Sequence, residues 1–277
     1  MKIIHDADLT NYNSYRLGGI AKSLTIIEDL KDFDYLNRDI LKQAQIIGGG
    51  TNILLSSKGI YKDFIKIDNK GYEVNNEITI QAGSNLTGTF TELAKLGYRD
   101  FLFAIGIPGT VGGAIVMNSG TNISISDIIT SVTIMTRDYE IKTLPVSDIQ
   151  YAYRSSIFQS NDWIVLSATF KTNKTEPVTD EEITNITKDR FNKHPLSFPS
   201  AGCWFKGAYG CSDIIREIGL SGQWRDGAVS SPLFPAFILN VNSSAQSIYT
   251  FVKEIQTKAE SINKPLLLEV KLIGDFV

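Results

Sequence analysis

Histidine and cysteine are the scarcest chemistry-bearing residues in this chain of 277: His5 and His194, Cys203 and Cys211. Two histidines cannot build a multi-histidine metal centre, and they argue against a Ser-His-Asp hydrolase, so no metal site is expected. Two cysteines make neither a disulfide framework nor a zinc site. The expectation is a reduced, cytoplasmic protein, in which the sequon Asn85-Leu86-Thr87 carries no weight. No run of Lys or Arg is present and the net charge is −3, so nothing favours nucleic acid or an anionic membrane surface. The apolar runs fall short of a membrane span. The N-terminus turns acidic at Asp6 and Asp8, too early for a signal peptide. Acid–base chemistry is left to carboxylates, cysteine, tyrosine, lysine or a cofactor.

Glycine is what the chain has in quantity, and it is clustered. Gly106, Gly109, Gly112 and Gly113 fall within eight residues, with Pro108 among them and Asn118-Ser119-Gly120 just beyond. A second cluster, Gly48-Gly49-Gly50-Thr51-Asn52-Ile53-Leu54, lies about sixty residues upstream. No core strand or helix tolerates that density, because each glycine loses backbone entropy and buries no side chain. Neither loop is the G-x-G-x-x-G fingerprint, since its last position here is Ile53, and no Walker Gly-Lys-Ser/Thr occurs. Two such loops suggest one large nucleotide cofactor gripped from both sides, with backbone N–H groups in tight turns facing its phosphates.

Hydrophobic patterning predicts an α/β (α+β) protein. Strands are expected at Ser23–Ile27, Ala44–Ile47, Glu77–Gln81, Ile128–Thr136, Glu140–Leu144 and Trp163–Phe170, with a closing strand at Pro265–Ile273. Helices are expected near Asp29–Ile40, at Leu86–Leu96 closed by Gly97, and at Ser212–Ile218 closed by Gly219. Another is expected over Ala245–Ile262, where Ile248, Phe251, Val252 and Ile255 form a core stripe. Composition turns polar over 171–182, where Thr179 and Glu182 fit a capping box, and a domain boundary is placed there.

Several motifs together resemble the UDP-N-acetylenolpyruvoylglucosamine reductase family in its compact type II form, of the vanillyl-alcohol-oxidase/PCMH-type FAD superfamily. They are Asn11–Gly19, Gly48–Leu54, Ala82-Gly83-Ser84, Gly106–Gly120, Tyr153-Arg154-Ser155-Ser156-Ile157-Phe158, Ser200–Lys206, Phe237–Asn240 and Leu268-Glu269-Val270. The resemblance runs nearly end to end. It implies a two-part FAD-binding region over 1–67 and 68–175, rejoined by 265–277, and a substrate-binding domain over 176–264. It implies bound FAD, NADPH as reductant, and UDP-N-acetylglucosamine enolpyruvate as a small-molecule substrate reduced to UDP-N-acetylmuramate in peptidoglycan precursor synthesis. A monomer is expected. The cofactor-binding residues implied are Gly48, Gly49, Gly50, Thr51, Asn52, Ile53, Leu54, Ala82, Gly83, Ser84, Ile107, Pro108, Gly109, Thr110, Gly112, Gly113, Ala114, Asn118, Ser119 and Gly120.

By the same resemblance Arg154 sits in the active site, where its permanently charged fork suits a carboxylate or developing enolate. Glu269, an acid in an apolar strand, helps to stabilise that enol. Cys203 stands where the family has its serine proton donor; a thiol is the stronger acid but is open to peroxide. Cys211 is expected to be structural. Lys206 and Arg225 are candidate contacts for the pyridine nucleotide or the sugar diphosphate. The chain departs from the family at Gly207-Ala208-Tyr209, where Asn-Pro is usual, and at Ser231–Pro235, which lacks the usual histidine. Two other readings stay open: a related FAD oxidoreductase with a different substrate, and a non-catalytic paralogue that binds FAD or the UDP-sugar.

Overall fold

Runs of Ile, Val and Thr, whose branched side chains suit a pleated surface, become the strands of a mixed α/β protein, the class the patterning predicts. The computed structural model describes residues 1–171, 173–195 and 197–276. Thr172, inside the polar stretch at 171–182, and the side chains of Ala208 and Tyr209, in the changed segment, lie outside the described residues. By internal contact the chain divides into two units. Residues 1–5, 23–49 and 62–188 form the first; residues 6–22, 50–61 and 189–277 form the second.

The first unit holds two sheets. In one, Ile20–Ile27, Asp63–Ile67 and Gln45–Ile47 run side by side and parallel, with Lys2–Asp8 at the outer edge. The other is antiparallel, in the order Tyr72–Val74, Ile78–Gln81, Ile164–Phe170, Ile129–Met135, Ile141–Pro145. Its central strand Ile164–Phe170 is buried almost throughout, as a strand flanked on both sides must be. Helix Leu86–Lys95 is capped by Asn85, which accepts from the Gly88 N–H, and turns at Gly97 with φ +100°. Its Phe90 meets Phe101 at 4.5 Å and Phe170 at 6.1 Å, edge to face, in the unit's core.

The helix expected over Asp29–Ile40 is two pieces, a 3-10 turn at Leu30–Tyr35 and a helix at Arg38–Gln43. Leu36 is extended with ψ 133°, and the Asn37 side chain accepts from the Asp39 N–H to start a new helix. A capping residue in mid-pattern overrides the apolar spacing that continues across it.

The second unit is built on the antiparallel meander Trp224–Arg225, Ala228–Ser230, Ile238–Asn240 and on helices Ala208–Glu217 and Ala245–Ser261. The expected stripe of Ile248, Phe251, Val252 and Ile255 is buried. The segments 6–22 and 50–61 belong here because Tyr15 and Leu54 enter this unit's core. Tyr15 donates to the Ile238 carbonyl at 2.6 Å and accepts from Trp204 Nε1, while Asn240 Nδ2 donates to the Tyr15 carbonyl at 2.9 Å. The closing strand is Lys271–Ile273, shorter than expected, and it pairs in parallel with Ile53–Leu55 rather than with the 68–175 segment. Residues ahead of it are drawn off to the 203–206 segment, with Phe205 bridged to Leu268.

Candidate functional site

Strand Gln45–Ile47 delivers the first glycine loop directly onto the second. A Cβ on Gly49 would lie 2.8 Å from Gly109 Cα, and one on Gly48 would lie 2.6 Å from Thr110 Oγ1. A side chain at Gly49 would prise backbone from backbone, so glycine is required there for close approach. Gly112 donates its N–H to the Ala82 carbonyl at 2.8 Å, and an added Cβ would sit 2.8 Å from Ala82 Cβ. Three motifs far apart in sequence thus form one backbone-rich surface. Thr110 caps the short helix Val111–Val116, which contains Ala114, and accepts from the Gly113 N–H at 3.3 Å. Thr87, which sequence reasoning missed, braces the start of the loop: its hydroxyl accepts from the Gly106 N–H at 3.1 Å and donates to the Ile107 carbonyl at 2.8 Å. Pro108 follows in that loop.

Among the described residues, the N–H groups of Gly49 and Thr110 meet no protein acceptor. Open backbone donors on a surface without side chains are what an anionic diphosphate needs, so the residues present fit a dinucleotide such as FAD. The Ala82–Ser84 turn is held by a second residue that sequence reasoning missed. Asn69 is buried; its Oδ1 accepts from the Gly83 N–H at 3.1 Å and its Nδ2 donates to the Leu166 carbonyl at 3.0 Å. The Ser84 hydroxyl donates to the Gly71 carbonyl and accepts from the Gly71 N–H, each at 3.1 Å. An Asn in a polar turn gives no signal of such bracing before the fold is known.

Arg154 is the second residue of the two-residue turn joining Tyr151–Ala152 to Ser155–Ser156. Its φ is +52°, a left-handed conformation that costs a non-glycine residue about 1–3 kcal/mol. Nη2 donates to the Gly120 carbonyl at 2.8 Å and Nη1 to the Asn118 carbonyl at 3.3 Å, and the guanidinium lies 5.1 Å over the Tyr153 ring. Asn118 is itself buried at φ +45°; its Nδ2 donates to the Ala152 carbonyl at 3.1 Å and its Oδ1 accepts from the Ser126 N–H at 3.3 Å. Ser119 accepts from the Ile125 N–H at 2.9 Å. The Asn118–Gly120 turn and Arg154 are therefore joined directly.

The second unit carries the other two expected catalytic residues on neighbouring segments. Cys203 is half-buried, bridged antiparallel to Phe237, and its Sγ donates to the Phe205 carbonyl at 3.2 Å. The next residue, Trp204, accepts at its carbonyl from the Glu269 N–H at 2.8 Å. The Lys206 N–H donates to the Leu267 carbonyl at 2.9 Å, and the residue is exposed. Cys211 Sγ donates to the Lys206 carbonyl at 2.9 Å; burial, and then the charge of Glu269, push its thiol up to about 11. Gly50 turns at φ +65° and accepts from the Ser14 N–H at 3.0 Å, Thr51 follows, and Ile53 and buried Leu54 enter the strand paired with the C-terminus.

Arg225 is ion-paired. Nε and Nη2 clamp Glu254 at 2.8 and 2.9 Å, and Nη1 donates to the Trp224 carbonyl at 2.8 Å. An imidazole does reach the Ser231–Pro235 segment, from outside it: His194 stacks on Phe237 at 5.4 Å and meets Phe234 edge-on at 5.3 Å. Its Nδ1 is buried without a hydrogen-bond partner among the described residues, and burial, followed by the charges of Arg190 and Lys193, lowers its pKa. Among the described residues no group of three His, Cys, Asp or Glu could hold a metal ion, and no helix is long and apolar enough to cross a membrane.

A model of an FAD binding domain matches residues 39–144. The UDP-N-acetylenolpyruvoylglucosamine reductase of Nostoc sp. is 33% identical over 99% of this chain and 87% of its own length. That of Clostridium botulinum is 33% identical over 99% of this chain and 93% of its own. The crystal structure of UDP-N-acetylenolpyruvylglucosamine reductase (MurB) from Thermus caldophilus superposes with a TM-score of 0.79 at 26% identity, covering 98% of both chains.

Proposed function

The chain belongs to the UDP-N-acetylenolpyruvoylglucosamine reductase family, an FAD-containing group of oxidoreductases, and we propose that it reduces UDP-N-acetylglucosamine enolpyruvate to UDP-N-acetylmuramate with NADPH as reductant. The setting is peptidoglycan precursor synthesis in the cytoplasm. The observation that carries the reading is the match of a curated reductase to 99% of the chain at 33% identity. Contact between the two glycine loops, with open N–H groups at Gly49 and Thr110, supports a shared role in holding the FAD diphosphate. The FAD-binding role is assigned to the region about residues 39–144, and the substrate-binding role to residues 176–264, most of which fall in the second unit.

Bound FAD supplies the hydride relay from the nicotinamide to the enolpyruvyl double bond. The chain supplies the charge and the proton. Arg154, aimed by the Asn118 and Gly120 carbonyls, binds the substrate carboxylate and stabilises the enolate as negative charge builds there. Glu269 stabilises the enol on the same substrate. Cys203 gives the proton to the adjacent carbon, and its Sγ lies within hydrogen-bond distance of the Phe205 carbonyl. Lys206, with its side chain exposed, is assigned to the phosphates of substrate or nicotinamide nucleotide. Arg225 is assigned to Glu254.

The test is anaerobic. The yellow protein is reduced with one equivalent of NADPH, the enolpyruvyl sugar is added, and the flavin absorbance is followed. Rapid return of the oxidised spectrum is expected. Reduction without return would discard this substrate and favour another flavin oxidoreductase. A protein that takes up no FAD would overturn the reading altogether.

A further inference from the structure

Glu269 is fixed by contacts that none of its assigned chemistry requires. Its N–H donates to the Trp204 carbonyl at 2.8 Å, and its own carbonyl accepts from Asn52 Nδ2 at 3.2 Å. Two residues on, the Lys271 N–H donates to the Asn52 carbonyl at 3.0 Å. Asn52 thus grips the chain on both sides of Val270, with its side chain on one side and its backbone on the other. Val270 is buried in the same core as Leu54 and Trp204, so the bracket cannot slide. The parallel ladder begins immediately after it, Lys271 opposite Ile53, and the Ser56 N–H donates to the Ile273 carbonyl at 2.9 Å.

We propose that Asn52 is the positioning residue of Glu269: the last polar residue of the first glycine loop sets where the carboxylate stands, and couples occupancy of that loop to the acid that acts on the substrate. The inference rests on the role proposed above for Glu269. Asn52 is suited to this by chemistry as well as by place. An amide both donates and accepts, whereas an aspartate of the same shape would set an oxygen against the Glu269 carbonyl. A ligand held by the loop then stiffens the Glu269 segment without touching it, since Asn52 belongs to both.

Two readouts on the flavin-loaded protein test this, with Asn52→Asp as the shape-preserving variant and Asn52→Ala as the milder one. The first is amide hydrogen exchange over 268–273. Exchange there is expected to be about tenfold faster in Asn52→Asp, with a smaller rise in Asn52→Ala, through local opening. The second is the anaerobic half-reactions. Flavin reoxidation by the enolpyruvyl sugar is expected to slow roughly 10- to 100-fold more than reduction by NADPH, as a misplaced catalytic group does. Its pH profile is expected to shift, because the carboxylate has moved. Unchanged exchange with an unchanged pH profile would overturn the proposal. So would equal slowing of both half-reactions, which would make Asn52 a cofactor contact alone. If the native protein itself is not reoxidised by this sugar, the functional reading falls, and the exchange rates still decide whether Asn52 holds the Glu269 segment.

Discussion

At the scale of single residues, Cys203 carries the sharpest prediction. A thiol in the donor position makes serine the conservative replacement, so Cys203→Ser is expected to keep turnover within about tenfold while Cys203→Ala loses about 10²–10⁴. Wild-type activity is expected to fall on peroxide treatment and the Ser variant to resist, since only the thiol can climb to sulfenic and sulfinic acid. Steady-state rates before and after peroxide check both; wild-type turnover in the Ala variant would remove the assignment. Tyr151 carries a different one. Its hydroxyl is buried with no hydrogen-bond partner among the described residues, and burial drives its pKa well above the usual tyrosine range. Tyr151→Phe removes a polar atom that no described residue satisfies, so stability is expected to hold or rise by about 1 kcal/mol. A denaturant midpoint clearly lowered in the variant would show that the hydroxyl has a partner. The thiol was legible from its place in a motif; the orphan hydroxyl was not, because nothing in Tyr151-Ala152-Tyr153 says which ring turns inward.

Among the elements, the helix Asp180–Lys193 begins as the sequence pattern predicts. Thr179 Oγ1 accepts from the Glu182 N–H at 3.2 Å, and Glu182 Oε2 accepts from the Thr179 N–H at 2.9 Å. Thr179→Ala is expected to cost about 1 kcal/mol. Arg99 also donates to Glu182, and its hydrogen bond, followed by that from the Thr179 backbone, holds the carboxyl down at about 2. A carboxyl depressed by folding stabilises above its unfolded value of 4.5 and ceases to do so as pH falls through about 2. The wild-type thermal midpoint should therefore drop more steeply than that of Glu182→Gln between those two values. Parallel curves would show that the pair contributes nothing. Such caps are readable from sequence because donor and acceptor lie three residues apart. The break at Leu36-Asn37 was not, since Phe33, Leu36 and Ile40 keep helical spacing straight through it and face one core.

For the molecule as a whole, the prediction is linkage. A ligand that binds only the folded chain stabilises it, by about 2.7 kcal/mol at a hundredfold excess over its dissociation constant. FAD added to stripped protein is expected to raise the thermal midpoint. Gly49→Ala should both lower the midpoint and weaken that response, because the added methyl meets Gly109 backbone at 2.8 Å. A midpoint indifferent to FAD would count against the cofactor site. By itself the sequence determined the α/β class, both glycine loops, the helix caps, the core stripe of the C-terminal helix and, through its motifs, the family. Each of these is written in residues within a few positions of one another, where spacing alone sets the geometry. Only the tertiary structure decided which glycines press together, which carbonyls aim Arg154, and that Asn52 holds the Glu269 segment 217 residues away. Those contacts join segments whose approach is set by burial of a shared core, and no local pattern records which distant partner that burial will bring.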